Sequence, residues 1–337
     1  MVEDDPVTIG IALGSGSARG WAHIGVLEAL AEAGIRPAIV CGASVGALVG
    51  GAYASGYMDE FARWIRSLRR LDVVRMLDVT VRGGGFIEGS RLMGILADRI
   101  RDVRIEELHS PRFAAVATEL ATGHERWFHE GSLLQAIRAS IALPGLFTPV
   151  QGVGSRWLVD GGLVNPVPVS VCRALGADIV IAVNLNGDLV TRARNHGRPV
   201  RHVSTQLTGR PPERDTGETH RADPAHEVAA GRFRWNIRNL ISLSKSQEET
   251  GPGLFDVLSA SINIMQDRIT RSRMAGDPPD LVINPRLARL GLMEFHRGPE
   301  AIAEGRAAVE RMASALDHLV DRHGQVPANP QEPPEPS

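Results

Sequence analysis

Lysine is almost absent from this chain: Lys245 is its single example, and every other long cationic side chain is arginine. Its 37 basic residues (Lys and Arg) are matched by 39 Asp and Glu, for a formal net charge of -2. Nucleic-acid binders carry a concentrated basic surplus, and none dominates here, so no nucleic-acid partner is expected. Cysteine is nearly as scarce. Cys41 and Cys172 are too few for a disulfide framework, and each sits in an apolar run, which marks both as small reduced core residues. The acidic start, MVEDDPVTIGIALGSG, lacks the basic and apolar regions of a secretory leader, which predicts a cytoplasmic protein. No stretch approaches the ~20 uninterrupted apolar residues of a spanning helix, so any membrane contact is expected to be peripheral. The arginine bias, with abundant Ala and Gly, suggests a GC-rich bacterial genome.

What is present is a βαβ grammar. Val7 to Leu13 is a short β-favouring run ended by GSGSARG (Gly14 to Gly20). The period then changes to 3.6, with Ile24, Leu27, Leu30 and Ala31 on one face and Gly34 as a stop. A second run, Pro37 to Cys41, feeds GASVG (Gly42 to Gly46) and a helix from Ala47 to Tyr57. Strands alternating with helices predict a mostly parallel, helix-covered sheet. Downstream, one helix is expected over Glu60–Met76, broken by Gly83 to Gly85, and another from an N-cap at Ser90 to about Ile100. A strand pair is expected around Thr122-Gly123, then a helix over Ser132–Ala142 and a strand over Trp157–Val159. A helix over Val171–Leu175 and a buried strand at Asp178–Asn184 come next. A helix over Leu254–Ile269, a strand at Leu281–Asn284 and a helix over Glu300–His323 follow. This divides the chain into a main domain over 7–290 containing a long variable segment at 191–253, a C-terminal helix over 299–323 and a proline-rich disordered tail over 325–337.

Three pieces carry chemistry. GASVG is G-x-S-x-G, with Ser44 between a predicted strand and a predicted helix. A sharp turn there lifts the hydroxyl clear of the sheet, and Gly42 and Gly46 avoid Cβ clashes. A serine is a poor nucleophile at neutral pH, so it needs a base and a holder for the oxyanion. GSGSARG, one βα unit earlier, presents backbone N–H groups. It is not a dinucleotide fingerprint, because Arg19 occupies the third glycine position and no acid ends the second strand; nor is it a P-loop, because no Gly-Lys-Ser/Thr follows. An oxyanion loop with the Gly16 and Ser17 amides as donors is the better reading. Asp160 ends a strand before Gly161-Gly162, at the sheet edge where ligand sites lie, and reads either as the base or as an ordinary turn aspartate. To act as a base near pH 7 its carboxylate needs burial to raise its pKa.

GSGSARGWAHIGVLEAL (Gly14 to Leu30), GASVGALVGGAYASG (Gly42 to Gly56), RASIALPGLFTPV (Arg138 to Val150) and LVDGGLVNPVPV (Leu158 to Val169) stand in the order that resembles the patatin-like phospholipase family, in its bacterial branch. The resemblance implies a three-layer α/β/α fold and a Ser–Asp dyad. The nucleophile falls on Ser44, the proton acceptor on Asp160, and the oxyanion loop on Gly14, Ser15, Gly16, Ser17, Arg19 and Gly20. It implies a lipid or fatty-acyl ester substrate, cleaved through an acyl-enzyme, with no metal and no cofactor. Ser15 and Ser17 interrupt the family's glycine run.

Two rival readings remain. A Ser–Asp–His triad on an α/β-hydrolase fold nominates His296, which sits in the polar segment MEFHRG; a catalytically silent lipid-surface protein needs no reactive serine. Arg19 either orients the loop, meets a phosphate or forms a structural salt bridge. His23 reads as a packing or hydrogen-bonding residue. Within Gly231 to Ser246, Phe233, Ile237, Leu240 and Ile241 share a face beside Arg232, Arg234 and Arg238, which fits an interfacial helix, a lid or a helix packed on the core.

Overall fold

The computed structural model describes residues 7–76, 89–188 and 254–323. Parallel pairing builds the centre of the sheet. β1 (Ile9–Leu13) lies between β2 (Ile39–Ala43) and β7 (Ile179–Val183), β3 (Arg112–Glu119) flanks β2, and β8 (Leu281–Ile283) flanks β7. The rest is antiparallel: β4 (Glu125–Phe128) and β6 (Trp157–Asp160) both pair with β3, and β5 (Val150–Gln151) with β6. Among the described residues the eight-stranded sheet is mostly parallel, as expected, with antiparallel pairs confined to the β4, β5 and β6 side.

The period-2 alternation of the strands sorts their side chains into two cores. Ile9, Ile11 and Leu13 of β1, Val40 of β2, and Ile179, Ile181 and Val183 of β7 share one cluster. Packed there are α1 (Ala22–Glu32), α2 (Val45–Ala54), α3 (Met58–Ser67), α6 (Leu133–Ser140) and α9 (Gly298–Glu310). Ala12, Ile39, Cys41, Ala43, Val180 and Ala182 face the other way, onto Val169, Val171 and Cys172 of α7 (Val169–Ala174). Strands buried on both faces read as near-continuous apolar runs, which is why their period was weak in the sequence. Both cysteines are free and buried. α1 and α9 approach to backbone contact: a Cβ on Gly25 would stand 1.9 Å from the Ile302 carbonyl oxygen, and one on Gly305 2.0 Å from that of Ala22.

Several expected elements differ. The helix over Glu60–Met76 is two, α3 and α4 (Arg70–Met76), because Leu68 adopts extended backbone (ψ 127°) and turns its side chain into the core. The last helix also divides, into α9 and α10 (Ala313–His323). At α5 (Ser90–Ala97) the N-cap is Gly89, in left-handed backbone, and Ser90 is the first helical residue. α8 (Leu254–Gly276) runs a further two turns beyond its expected end. Gly83 to Gly85, the 191–253 segment with its 231–246 stretch, and the 325–337 tail lie outside the described residues. Among the described residues, no helix is long and apolar enough to cross a membrane.

Candidate active site

β2 ends at Ala43 and α2 begins at Val45, so Ser44 alone makes the turn. Its backbone, φ 57° and ψ -127°, is one that a residue with a Cβ holds only at a cost of roughly 1–3 kcal/mol, and only where the surroundings enforce it. The flanking glycines serve close approach rather than positive φ. A Cβ on Gly46 would lie 2.1 Å from the Leu13 carbonyl oxygen, and one on Gly42 2.4 Å from the Ala47 nitrogen. The strand, the turn and the helix are therefore locked to β1, and the Ala47 and Leu48 N–H groups of α2 donate back to the Ser44 carbonyl.

Asp160 reaches the same point through strand register. Ala115 and Val116 of β3 pair with β2 and with β4, so these two flank β3 on opposite sides. Ala117 and Thr118 pair with β4 and with β6, so β6 lies on the β2 side. Ala43 is opposite Val116, and Asp160 is opposite Ala117. β2 and β6 therefore meet tip to tip along one edge of β3, and each strand ends at the meeting point. Gly161 permits the junction, since a Cβ there would lie 2.1 Å from the Val116 carbonyl oxygen.

The Ser44 hydroxyl donates to Asp160 Oδ2 at 2.5 Å. The Gly162 N–H donates to Oδ1 at 2.7 Å, and the Asp160 N–H to the Ala142 carbonyl at 3.0 Å. Burial is the largest influence on this carboxyl: it lifts the pKa from the ordinary 3.8 to about 7, against the lowering pull of the Ser44 and Gly162 hydrogen bonds. No arginine pairs with Asp160 among the described residues, so nothing cationic restores the ionised form. Ser140 braces the elbow. It accepts from the Ser44 N–H at 2.9 Å and donates to the Val116 carbonyl at 2.6 Å.

Two amides of the glycine-rich loop are spoken for: Gly14 N–H donates to Val183 O and Ser15 N–H to Pro166 O. The N–H groups of Gly16 and Ser17 have no acceptor among the described residues. Ser17 holds positive φ (53°), and its hydroxyl donates to Leu292 O at 2.7 Å. Gly20 lies against α2, where a Cβ would meet Val45 Cγ1 at 2.1 Å. His23 Nε2 donates to the Gly14 carbonyl at 2.7 Å; burial lowers its pKa to about 4, so the ring is neutral and braces the loop. Arg19 is 1% exposed, and its Nη2 donates to Asn263 Oδ1 at 2.8 Å. No carboxylate bridges it among the described residues, so the salt-bridge reading is replaced by an amide contact. Burial lowers its pKa to about 10, which leaves it cationic at neutral pH.

His296 is elsewhere in its bonding. It accepts from Arg70 Nε at 3.1 Å, in the half-buried 3-10 turn Phe295–Arg297, and has no hydrogen bond to Ser44 or Asp160. Sequence reasoning assigned no role to Ser140, Asn263 or Gln266. Ser140 stood inside RASIALPGLFTPV with nothing to mark it. Asn263 and Gln266 lie on a helix whose polar face carried no motif. Gln266 Nε2 donates to Ser15 Oγ at 3.0 Å.

Residues 11–173 match the family model described as Patatin-like phospholipase. An NTE family protein of Mycobacterium tuberculosis is 36% identical over an alignment that covers 92% of each chain. Patatin-like phospholipase domain-containing protein 6 of Homo sapiens is 33% identical over 56% of this chain and 14% of its own length. Among solved structures, VipD from Legionella pneumophila overlaps 57% of this chain and 52% of its own at a TM-score of 0.34 and 14% identity. The near full-length kinship with the mycobacterial protein, together with a family match spanning both Ser44 and Asp160, places this chain in the patatin-like phospholipase family.

Proposed function

We propose that the chain hydrolyses carboxylic esters of lipids, of the phospholipase A, lysophospholipase or carboxylesterase kind, by a Ser44–Asp160 dyad. The observation that carries this reading is the 2.5 Å hydrogen bond from a strained elbow serine to a buried carboxyl whose pKa is near 7. As Ser44 Oγ bonds to the ester carbonyl carbon, its proton passes to Asp160 and the carbonyl oxygen becomes an oxyanion. The open Gly16 and Ser17 amides are the donors for that charge. Collapse releases the alcohol, which takes the proton from Asp160, and leaves an acyl ester on Ser44. Water then attacks the acyl group while Asp160 again accepts a proton, and the carboxylic acid departs as Ser44 is re-formed. A base that is half ionised near neutral pH suits this shuttle, since it must both take and return the proton. Lipid is the substrate class by family membership, and contact with a membrane is then peripheral.

The test is turnover of phospholipids, lysophospholipids, triacylglycerols and short-chain esters by the wild type, Ser44→Ala and Asp160→Asn. Both variants should lose turnover by at least a thousandfold, and a fluorophosphonate probe should label the wild type and not Ser44→Ala, because dyad members act as a unit. Wild-type turnover in either variant would overturn the dyad. An unlabelled, inactive wild type would favour a silent lipid-surface protein.

A further inference from the structure

Ser15 lies in the glycine-rich loop between Gly14 and Gly16, and its hydroxyl is engaged. Oγ accepts from Gln266 Nε2 at 3.0 Å, and Gln266 Oε1 accepts from Asn186 Nδ2 at 3.3 Å. All three side chains are buried. The same amide also presses on the turn after Asp160. A Cβ on Gly162 would meet Gln266 Nε2 and Ser15 Oγ each at 2.6 Å, and Asp160 Oδ1 at 2.9 Å. Gln266 is therefore wedged between the loop that carries the Gly16 and Ser17 amides and the turn whose N–H holds Asp160. One helical turn away on the same face of α8, Asn263 holds Arg19 of that loop. A buried, hydrogen-bonded amide makes a rigid spacer, because an apolar replacement leaves the Ser15 hydroxyl and the Asn186 amide without partners.

We propose that Gln266 is a positioning residue for the ester-cleaving site, setting the distance between the oxyanion loop and the Ser44–Asp160 pair from a helix outside the family-matched residues 11–173. The inference rests on the reading under Proposed function. Ser15 supplies the acceptor for the Gln266 amide.

The experiment uses the full chain with Gln266→Leu, Ser15→Ala and the double variant, on p-nitrophenyl butyrate, with functional serine counted by complete fluorophosphonate labelling. Turnover per labelled serine excludes loss that comes from unfolded protein. Each single variant should lower kcat per labelled serine about tenfold with KM moved less than about threefold, since a misplaced loop weakens only the transition state. The double variant should fall no further than the worse single one, because both changes remove one contact. A single variant within about twofold of wild-type kcat, or losses that multiply in the double variant, would overturn the proposal. A wild type that neither turns over the ester nor labels would instead sink the hydrolase reading itself.

Discussion

Asp160→Asn separates what burial does to this carboxyl from what the carboxyl does for the reaction. Burial raises it from the ordinary 3.8 to about 7. Between those values the folded chain holds a proton that the unfolded chain has released. The stability it contributes is therefore fully present below pH ~4 and is lost as pH rises through about 7. Linkage with these two values gives a loss of roughly 2.5 kcal/mol between pH 5 and pH 8. An amide cannot titrate. Other groups titrate alike in both proteins, so the variant should gain on the wild type by roughly 2.5 kcal/mol over that interval while losing turnover. Urea unfolding at the two pH values, followed by far-ultraviolet circular dichroism, measures the difference. In parallel, kcat/KM of the wild type on a short-chain ester should rise through about pH 7 with unit slope below it, as the ionised base forms. A stability difference that stays flat to within ~0.5 kcal/mol, or an acid limb near pH 4, would refute the claim that burial holds the proton.

Three further outcomes follow from the same geometry. Ser44→Gly and Ser44→Ala both lose the hydroxyl, so their difference isolates the φ 57° strain: the glycine variant should be the more stable by ~1 kcal/mol in thermal or urea unfolding. Gly46→Ala puts a methyl group 2.1 Å from the Leu13 carbonyl oxygen, and should lower stability by about 3 kcal/mol or more, with loss of turnover as the elbow shifts. His296→Ala removes a contact with Arg70, and should leave kcat/KM within about twofold of wild type; loss of turnover would restore a histidine triad.

The elbow, the glycine-rich loop and the strand-end aspartate are legible in the residues alone, because each is a local device. A turn with no room for Cβ demands glycine at 42 and 46, and open amides demand an irregular loop before a helix. The alternating α/β grammar is legible for the same reason, since periodicity is local. The meeting of parts distant in the chain comes from the fold. Ser44 and Asp160, 116 residues apart, become partners because β2 and β6 end against each other on one edge of β3, and register of that kind is written in no single segment. The pKa near 7 likewise needs burial from every side. The breaks at Leu68 and after Glu310 were hidden because helical period continues through both, while packing turns the chain. Gln266 was hidden most completely: its polar neighbours come from the loop at Ser15 and from Asn186, and its own helix marks it as nothing more than one polar residue among several.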